Sequence, residues 1–123
     1  MNDAKKQYFH GGNRKLHVGD YILPQAETGV VGMSHPLCRK DRVYLTTSIV
    51  DAQFYASAAD DPVVYVVIPA GEIEPDPDCT QPGQSFACPK AKVIAIRKIP
   101  GKVIKKNKKR MLQRAHQLDA ARQ

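Results

Sequence analysis

The chain lacks most of the features that assign a protein to a class at sight. No stretch of its 123 residues reaches 18 consecutive apolar positions, so no transmembrane helix is expected. The polar start, Met1–Lys6, has no apolar run behind it, and no signal peptide is expected either. Cysteine is scarce and odd in number. Cys38, Cys79 and Cys88 form no CxxC pair, which argues against a disulfide framework and for a reducing, cytoplasmic setting. The same spacing offers no zinc site, His10, His17, His35 and His116 show no HExxH pattern, and no metal is expected. There is no glycine loop suited to cradling phosphate, no G-x-S-x-G elbow and no internal repeat.

Negative charge is scarce at one end. Residues 1–100 carry 11 Lys/Arg and 11 Asp/Glu, whereas residues 101–123 carry 8 Lys/Arg against Asp119 alone. The whole net charge of +7 therefore sits in the tail, and the body has no electrostatic need for a polyanion. With 42% hydrophobic and 25% charged residues the composition is globular. A mass of 13.6 kDa fits one small domain. We expect a domain over residues 1–100 and a basic helical tail over residues 101–123.

The body reads as short strands around one inner helix. Gln7–His10 is a strand that Gly11-Gly12 stops, Tyr21–Leu23 and Val43–Leu45 are two more, and residues 24–41 form a loop. Ser48 followed by Asp51 is a helix-start signature, and Ala52, Tyr55, Ala56 and Ala59 recur on one helical face until Asp60-Asp61-Pro62. Val63–Ile68 is apolar and β-branched, the pattern of a central strand buried on both faces. Pro69–Pro89 contains five prolines and reads mostly as loop. Lys92–Ile99 is the last strand, and Asn107–Arg122 reads as a helix. The fold class is mixed and strand-rich.

Three constellations could carry chemistry. His10 before Gly11-Gly12 sets an imidazole beside bare backbone that a flat ligand can approach, although a polar strand end with a turn has the same sequence. Tyr44 and Tyr55 stand eleven apart across a strand, turn and helix, which can hold two rings face to face for a planar cation or simply bury both in a core. Glu72, Glu74, Asp76 and Asp78 set four carboxylates within seven residues, stiffened by Pro75 and Pro77. A solvated acidic loop is the alternative there. The tail, Lys102 to Arg114, is a candidate contact for nucleic acid or an acidic protein, without aromatics for base stacking. Equally, it is a solvated helix docked through Met111, Leu112, Ala115 and Leu118.

In order, these segments resemble the His–Tyr–acid branch of the NAD-dependent ADP-ribosyltransferases, and more narrowly the rifampin ADP-ribosyltransferase family. The likeness is carried by Tyr8-Phe9-His10-Gly11, Val18-Gly19-Asp20, Val43-Tyr44-Leu45-Thr46-Thr47-Ser48, Val64-Tyr65-Val66-Val67, Glu74-Pro75-Asp76-Pro77-Asp78, Gln84-Ser85-Phe86 and Cys88-Pro89. It implies a compact α+β fold with a split β-sheet core, one inner helix and, here, a basic C-terminal helix. It implies NAD as co-substrate. His10 would bind the nicotinamide-side ribose, Gly11 the carboxamide through its backbone, and Tyr44 the nicotinamide ring, with Tyr55 on its second face. Asp76 would be the motif acid, with Glu74 and Asp78 as rivals, and Thr46-Thr47-Ser48 would support the pocket floor. The acceptor would be a rifamycin-type antibiotic, inactivated by the transfer. The stretch between Ser48 and Val63 is shorter than in the antibiotic-modifying enzymes, which leaves a protein or nucleic-acid acceptor, docked by the tail, as the rival. A catalytically inactive NAD- or nucleic-acid-binding module and a plain interaction protein are the remaining readings.

Overall fold

The computed structural model describes residues 7–24, 42–75 and 85–122. In chain order the elements are β1 (Tyr8–Asn13), β2 (Tyr21–Ile22), β3 (Val43–Thr46), α1 (Ile49–Ala56), β4 (Pro62–Ala70), β5 (Glu74–Pro75), β6 (Ser85–Cys88), β7 (Lys90–Lys98) and α2 (Gly101–Arg122). The strands make one antiparallel sheet in the order β2-β7-β4-β1-β3-β6-β5. With two helices beside it the architecture is α+β. The loop expected over residues 24–41 lies, from residue 25 on, outside the described residues.

β4 is the buried strand its sequence announces. Val63, Val64, Tyr65, Val66 and Val67 are all at most 3% exposed, and the strand is flanked by β7 and β1. Burying such side chains on both faces gains about 1.5–3 kcal/mol each. Alternation along β4 sends Val63, Tyr65 and Val67 to one core with Ile22, Val43, Leu45, Cys88, Ala91 and Val93. Val64 and Val66 go to the other, with Phe9, Ala52, Ala56 and Ile99. Between Val66 and Val67 the partner register skips Ile94, a bulge that leaves Ile94 43% exposed.

The buried Tyr65 also closes the turn after β1. Its hydroxyl donates to the Asn13 carbonyl and accepts from the backbone N–H of Lys15 at 3.0 Å and of Leu16 at 3.3 Å. The nearby Arg14–Asp61 ion pair is exposed at both ends, and such pairs add little.

Gly11-Gly12 does not stop β1. The strand continues through both glycines to Asn13, paired residue by residue with β4. A Cβ on Gly11 would lie 2.2 Å from the Ala52 carbonyl oxygen and 2.9 Å from the Ala56 amide nitrogen. Glycine is required there because the backbone of α1 rests directly on the strand. At Gly12 the same atom would meet only ordinary contacts, 3.8 Å from the Tyr65 ring and 3.9 Å from His10.

The start of α1 follows the expected signature: Ser48 is the N-cap, and its Oγ accepts from the Asp51 amide at 3.2 Å. The helix ends at Ala56, short of Ala59, because Ser57 caps it with a bond from its Oγ to the Gln53 carbonyl at 2.7 Å. Two strands were hidden in the proline-rich stretch. β5 and β6 are only two and four residues long, too short for a periodic signal against their prolines.

α2 begins at Gly101, six positions before the Asn107 expected from sequence. Val103 and Ile104 pack into the α1-side core, and Asn107, 7% exposed, donates from Nδ2 to the Ser57 Oγ at 3.1 Å. Arg110 and Arg114 lie over the Phe54 ring at 5.4 and 5.1 Å. Docking thus uses Val103, Ile104 and Asn107. Leu112, expected to dock, is 61% exposed, while Ala115 and Leu118 lie outside the residues whose side chains are described.

Gly11→Ala is expected to cost about 3 kcal/mol, at the upper end for overpacking because the obstacle is helix backbone. Gly12→Ala should stay within about 1 kcal/mol of the wild type. Urea unfolding of the two variants checks both. Tyr65→Phe, which removes the hydroxyl that bridges the Asn13 carbonyl and the Lys15 and Leu16 amides, is expected to cost about 1 kcal/mol in the same measurement.

Candidate functional site

β1 pairs with β4 over six residues but with β3 at one, Phe9↔Thr46. Among the described residues the ladder between β1 and β3 goes no further. Just past it, the side chain of His10 takes over: its Nδ1 lies 2.9 Å from the Tyr44 carbonyl oxygen. A carbonyl only accepts, so Nδ1 carries the proton and donates. Burial holds the imidazole below the ordinary histidine value, with the Tyr44 carbonyl opposing in part. His10 is therefore neutral at pH 7, with the lone pair of Nε2 left to accept. On that side stands Gly12, whose missing Cβ keeps the space beside Nε2 open.

Tyr44 is half-buried on β3. Pleating sends Val43 and Leu45 to the first core, so Tyr44 and Thr46 point to the α1 side. Across the ladders Tyr44 stands opposite Ala87 of β6, and Ala87 opposite Glu74 of β5. Directly opposed residues share a face, so Tyr44 and Glu74 are on one side of the sheet, two strand spacings or about 10 Å apart.

Tyr55 is not on the buried face of α1. That face is Ala52 and Ala56, and Tyr55 is 71% exposed, edge-on to Phe54 at 6.0 Å. The helical repeat that grouped it with the alanines is corrected by their small size: α1 rests so close to β1 that only alanines fit beneath it. A core role for Tyr55 is thereby excluded, and its ring faces outward.

The Thr46-Thr47-Ser48 triplet has local work. Thr46 Oγ1 accepts from the Ser48 amide at 3.0 Å, and Ser48 caps α1. Both hydroxyls tie the end of β3 to the start of α1, and so hold Tyr44 relative to Gly11. The glycine at position 11 is likewise explained by helix packing.

Of the candidate acids, only Glu72 and Glu74 are described; Asp76 and Asp78 lie outside the described residues. Glu74 Oε1 is 3.1 Å from the buried Nε atom of Arg42, a side chain that is otherwise half-buried. Sequence reading missed Arg42. It stands just before β3, two positions from Tyr44, where its ion pair with Glu74 ties it to the end of β5. Cys88 is buried with Sγ 3.3 Å from the Lys90 carbonyl, and burial pushes its thiol up, which makes it a packing residue.

The family model described as Rifampin ADP-ribosyl transferase matches residues 8–104. The chain belongs to the rifampin ADP-ribosyl transferase family. No curated protein matches it. The matched range opens on the first residue of β1 and closes in the first turns of α2, so it takes in His10, Gly11, Tyr44, Tyr55 and all the candidate acids. ADP-ribosyl transfer is the activity of this family, and its transferases draw on NAD as co-substrate. For this rifampin ADP-ribosyl transferase family member, the structure joins the His10 imidazole to the backbone carbonyl of Tyr44; His10, opposite Tyr65, is on the first-core face of the sheet, whereas the Tyr44 ring and Glu74 are on the α1 face.

Because folded His10 binds its proton less readily than the unfolded chain, its neutral state adds stability that is complete above the ordinary value of 6.5. That stability is expected to fall as the pH drops below 6.5 toward the lower folded-state value, as the unfolded chain takes up the proton first. Urea unfolding between about pH 7.5 and about pH 5 checks it, and His10→Gln should flatten that part of the profile.

Proposed function

We propose that this chain transfers ADP-ribose from NAD to a rifamycin-type acceptor, with His10, Tyr44 and Asp76 at the centre. The observation that carries the reading is the His10–Tyr44 bond, located where the β1–β3 ladder ends and inside the family match. It supports a role for His10 as an acceptor: the neutral ring, held by the Tyr44 carbonyl, offers Nε2 to a ribose hydroxyl. Tyr44 then offers its ring to the nicotinamide, and the outward-facing ring of Tyr55 is the candidate for the second face. Gly11, Thr46 and Ser48 fix the spacing of these groups. The edge of β1 beyond Phe9, which has no β3 ladder among the described residues, is where backbone groups of Gly11 would meet the carboxamide.

Breaking the N-glycosidic bond of NAD develops an oxocarbenium-like ribosyl cation, while the cationic nicotinamide leaves as a neutral ring. A carboxylate fixed nearby stabilises that charge. Glu74 is a poor choice, because the Arg42 guanidinium already offsets its charge. That favours Asp76, two residues on, over Glu74, and Asp78 stays the rival. The acceptor oxygen then attacks the anomeric carbon in line, a matter of orientation. A macromolecular acceptor is distinguished from a rifamycin by what the release of nicotinamide requires.

Purified protein is expected to release nicotinamide from NAD when rifampicin is present, and His10→Ala should reduce the rate at least about 100-fold. Release that needs no rifampicin would redirect the acceptor, and release unchanged in His10→Ala would overturn the site. Asp76→Ala should abolish turnover with an unchanged thermal midpoint, while Glu74→Ala should retain it. The reverse pattern would move the acid to Glu74.

A further inference from the structure

We propose that the outer face of α2 is a binding surface for the phosphate backbone of duplex nucleic acid, independent of the ADP-ribosyl transfer site. At 100° per residue, Val103, Ile104, Asn107, Met111 and Arg114 fall on the side of α2 turned to the body. Lys102, Lys105, Lys106 and Lys109 recur at i, i+3, i+4 and i+7 on the opposite side, and all four are exposed. They form a single ridge about 10 Å long on a helix held rigid at its base by the Asn107–Ser57 bond and by Arg110 and Arg114 over Phe54. Among the described residues none of these lysines is in a salt bridge with an acid.

This arrangement costs helix stability. Every i,i+3 and i,i+4 neighbour within the ridge is a like-charge pair, and no acid precedes Asp119 in the helix. An anionic partner with charges at regular spacing would relieve that repulsion.

Three features point to nucleic acid as that partner. First, the ridge is lysine alone, which suits phosphate oxygens as point charges. Second, among the described residues Leu112 is the one large apolar side chain exposed on α2, while Val103 and Ile104 pack on the body, and a single exposed leucine is a weak anchor for a lipid surface. Third, α2 carries no Phe, Tyr or Trp for base stacking, which favours the backbone of a duplex over an extended single strand. Binding of this kind is sequence-independent and strongly salt-dependent.

The test uses the full chain and a fluorescent DNA duplex of about 20 base pairs of mixed sequence. Fluorescence anisotropy is expected to show binding at about 50 mM salt, with log K falling against log salt at a slope of about −3 to −4 for four phosphates. The fourfold variant K102Q/K105Q/K106Q/K109Q should bind at least about tenfold more weakly, with a slope nearer zero. Its thermal midpoint should stay at or above that of the wild type, since only exposed like charges are removed. No binding at low salt, or binding that survives in the variant, would overturn the proposal. So would equal binding of poly-glutamate or of anionic vesicles at matched charge, which would assign the ridge to an acidic protein or a membrane.

Discussion

The structure hangs on the contact between α1 and the backbone of β1 at Gly11. With the Ala52 carbonyl 2.2 Å from where a Cβ would stand, no other residue lets the helix sit so low on the sheet. That approach lets Ala52 and Ala56 seal the core over Phe9, Val64 and Val66. It also fixes both ends of the helix. At the N-terminus, Ser48 and Thr46 join α1 to β3, and at the C-terminus, Ser57 is bonded by Asn107 of α2. β1, β3, α1 and α2 are thus set relative to one another by a contact in which the decisive group is an absent side chain.

The candidate site is a by-product of that geometry. β1 is held by β4 on one side and pressed by α1 from above, so it meets β3 at one residue pair and then leaves it. His10 spans the divergence with its own side chain, and burial keeps it neutral and oriented. A histidine used in this way has one nitrogen committed to structure and one left over. In the proposed transfer that remaining nitrogen and the ring of Tyr44 would be the groups that meet NAD. The Arg42–Glu74 pair on Tyr44's side of the sheet shows how a carboxylate can be present near the site and still be electrostatically spent.

α2 divides its labour by face. Val103, Ile104 and Asn107 dock it on the body, and two arginines lie over Phe54. The face turned away from the body carries Lys102, Lys105, Lys106 and Lys109, repeated at helical spacing. Charge that on a disordered tail would be diffuse is presented here as a ridge of defined direction.

The sequence alone determined the elements whose signals are local. The buried run of β4, the Ser48 cap of α1, the basic helix and the likeness around His10 and Tyr44 were legible because each rests on composition or spacing within a few residues. Other features depended on which strands become neighbours. The continuation of β1 through Gly11-Gly12 could not be read, since glycine stops a strand by default and is welcome only where a helix crosses it. Tyr55 kept the helical period of Ala52 and Ala56, yet the closeness of α1 to the sheet admits only alanine beneath it and turns the ring outward. β5 and β6 were too short to show a period, and their pairing created the row from Tyr44 to Glu74. Local free energies are written along the chain, whereas the use of His10, Arg42 and Gly11 was decided by backbone packing between segments more than thirty residues apart.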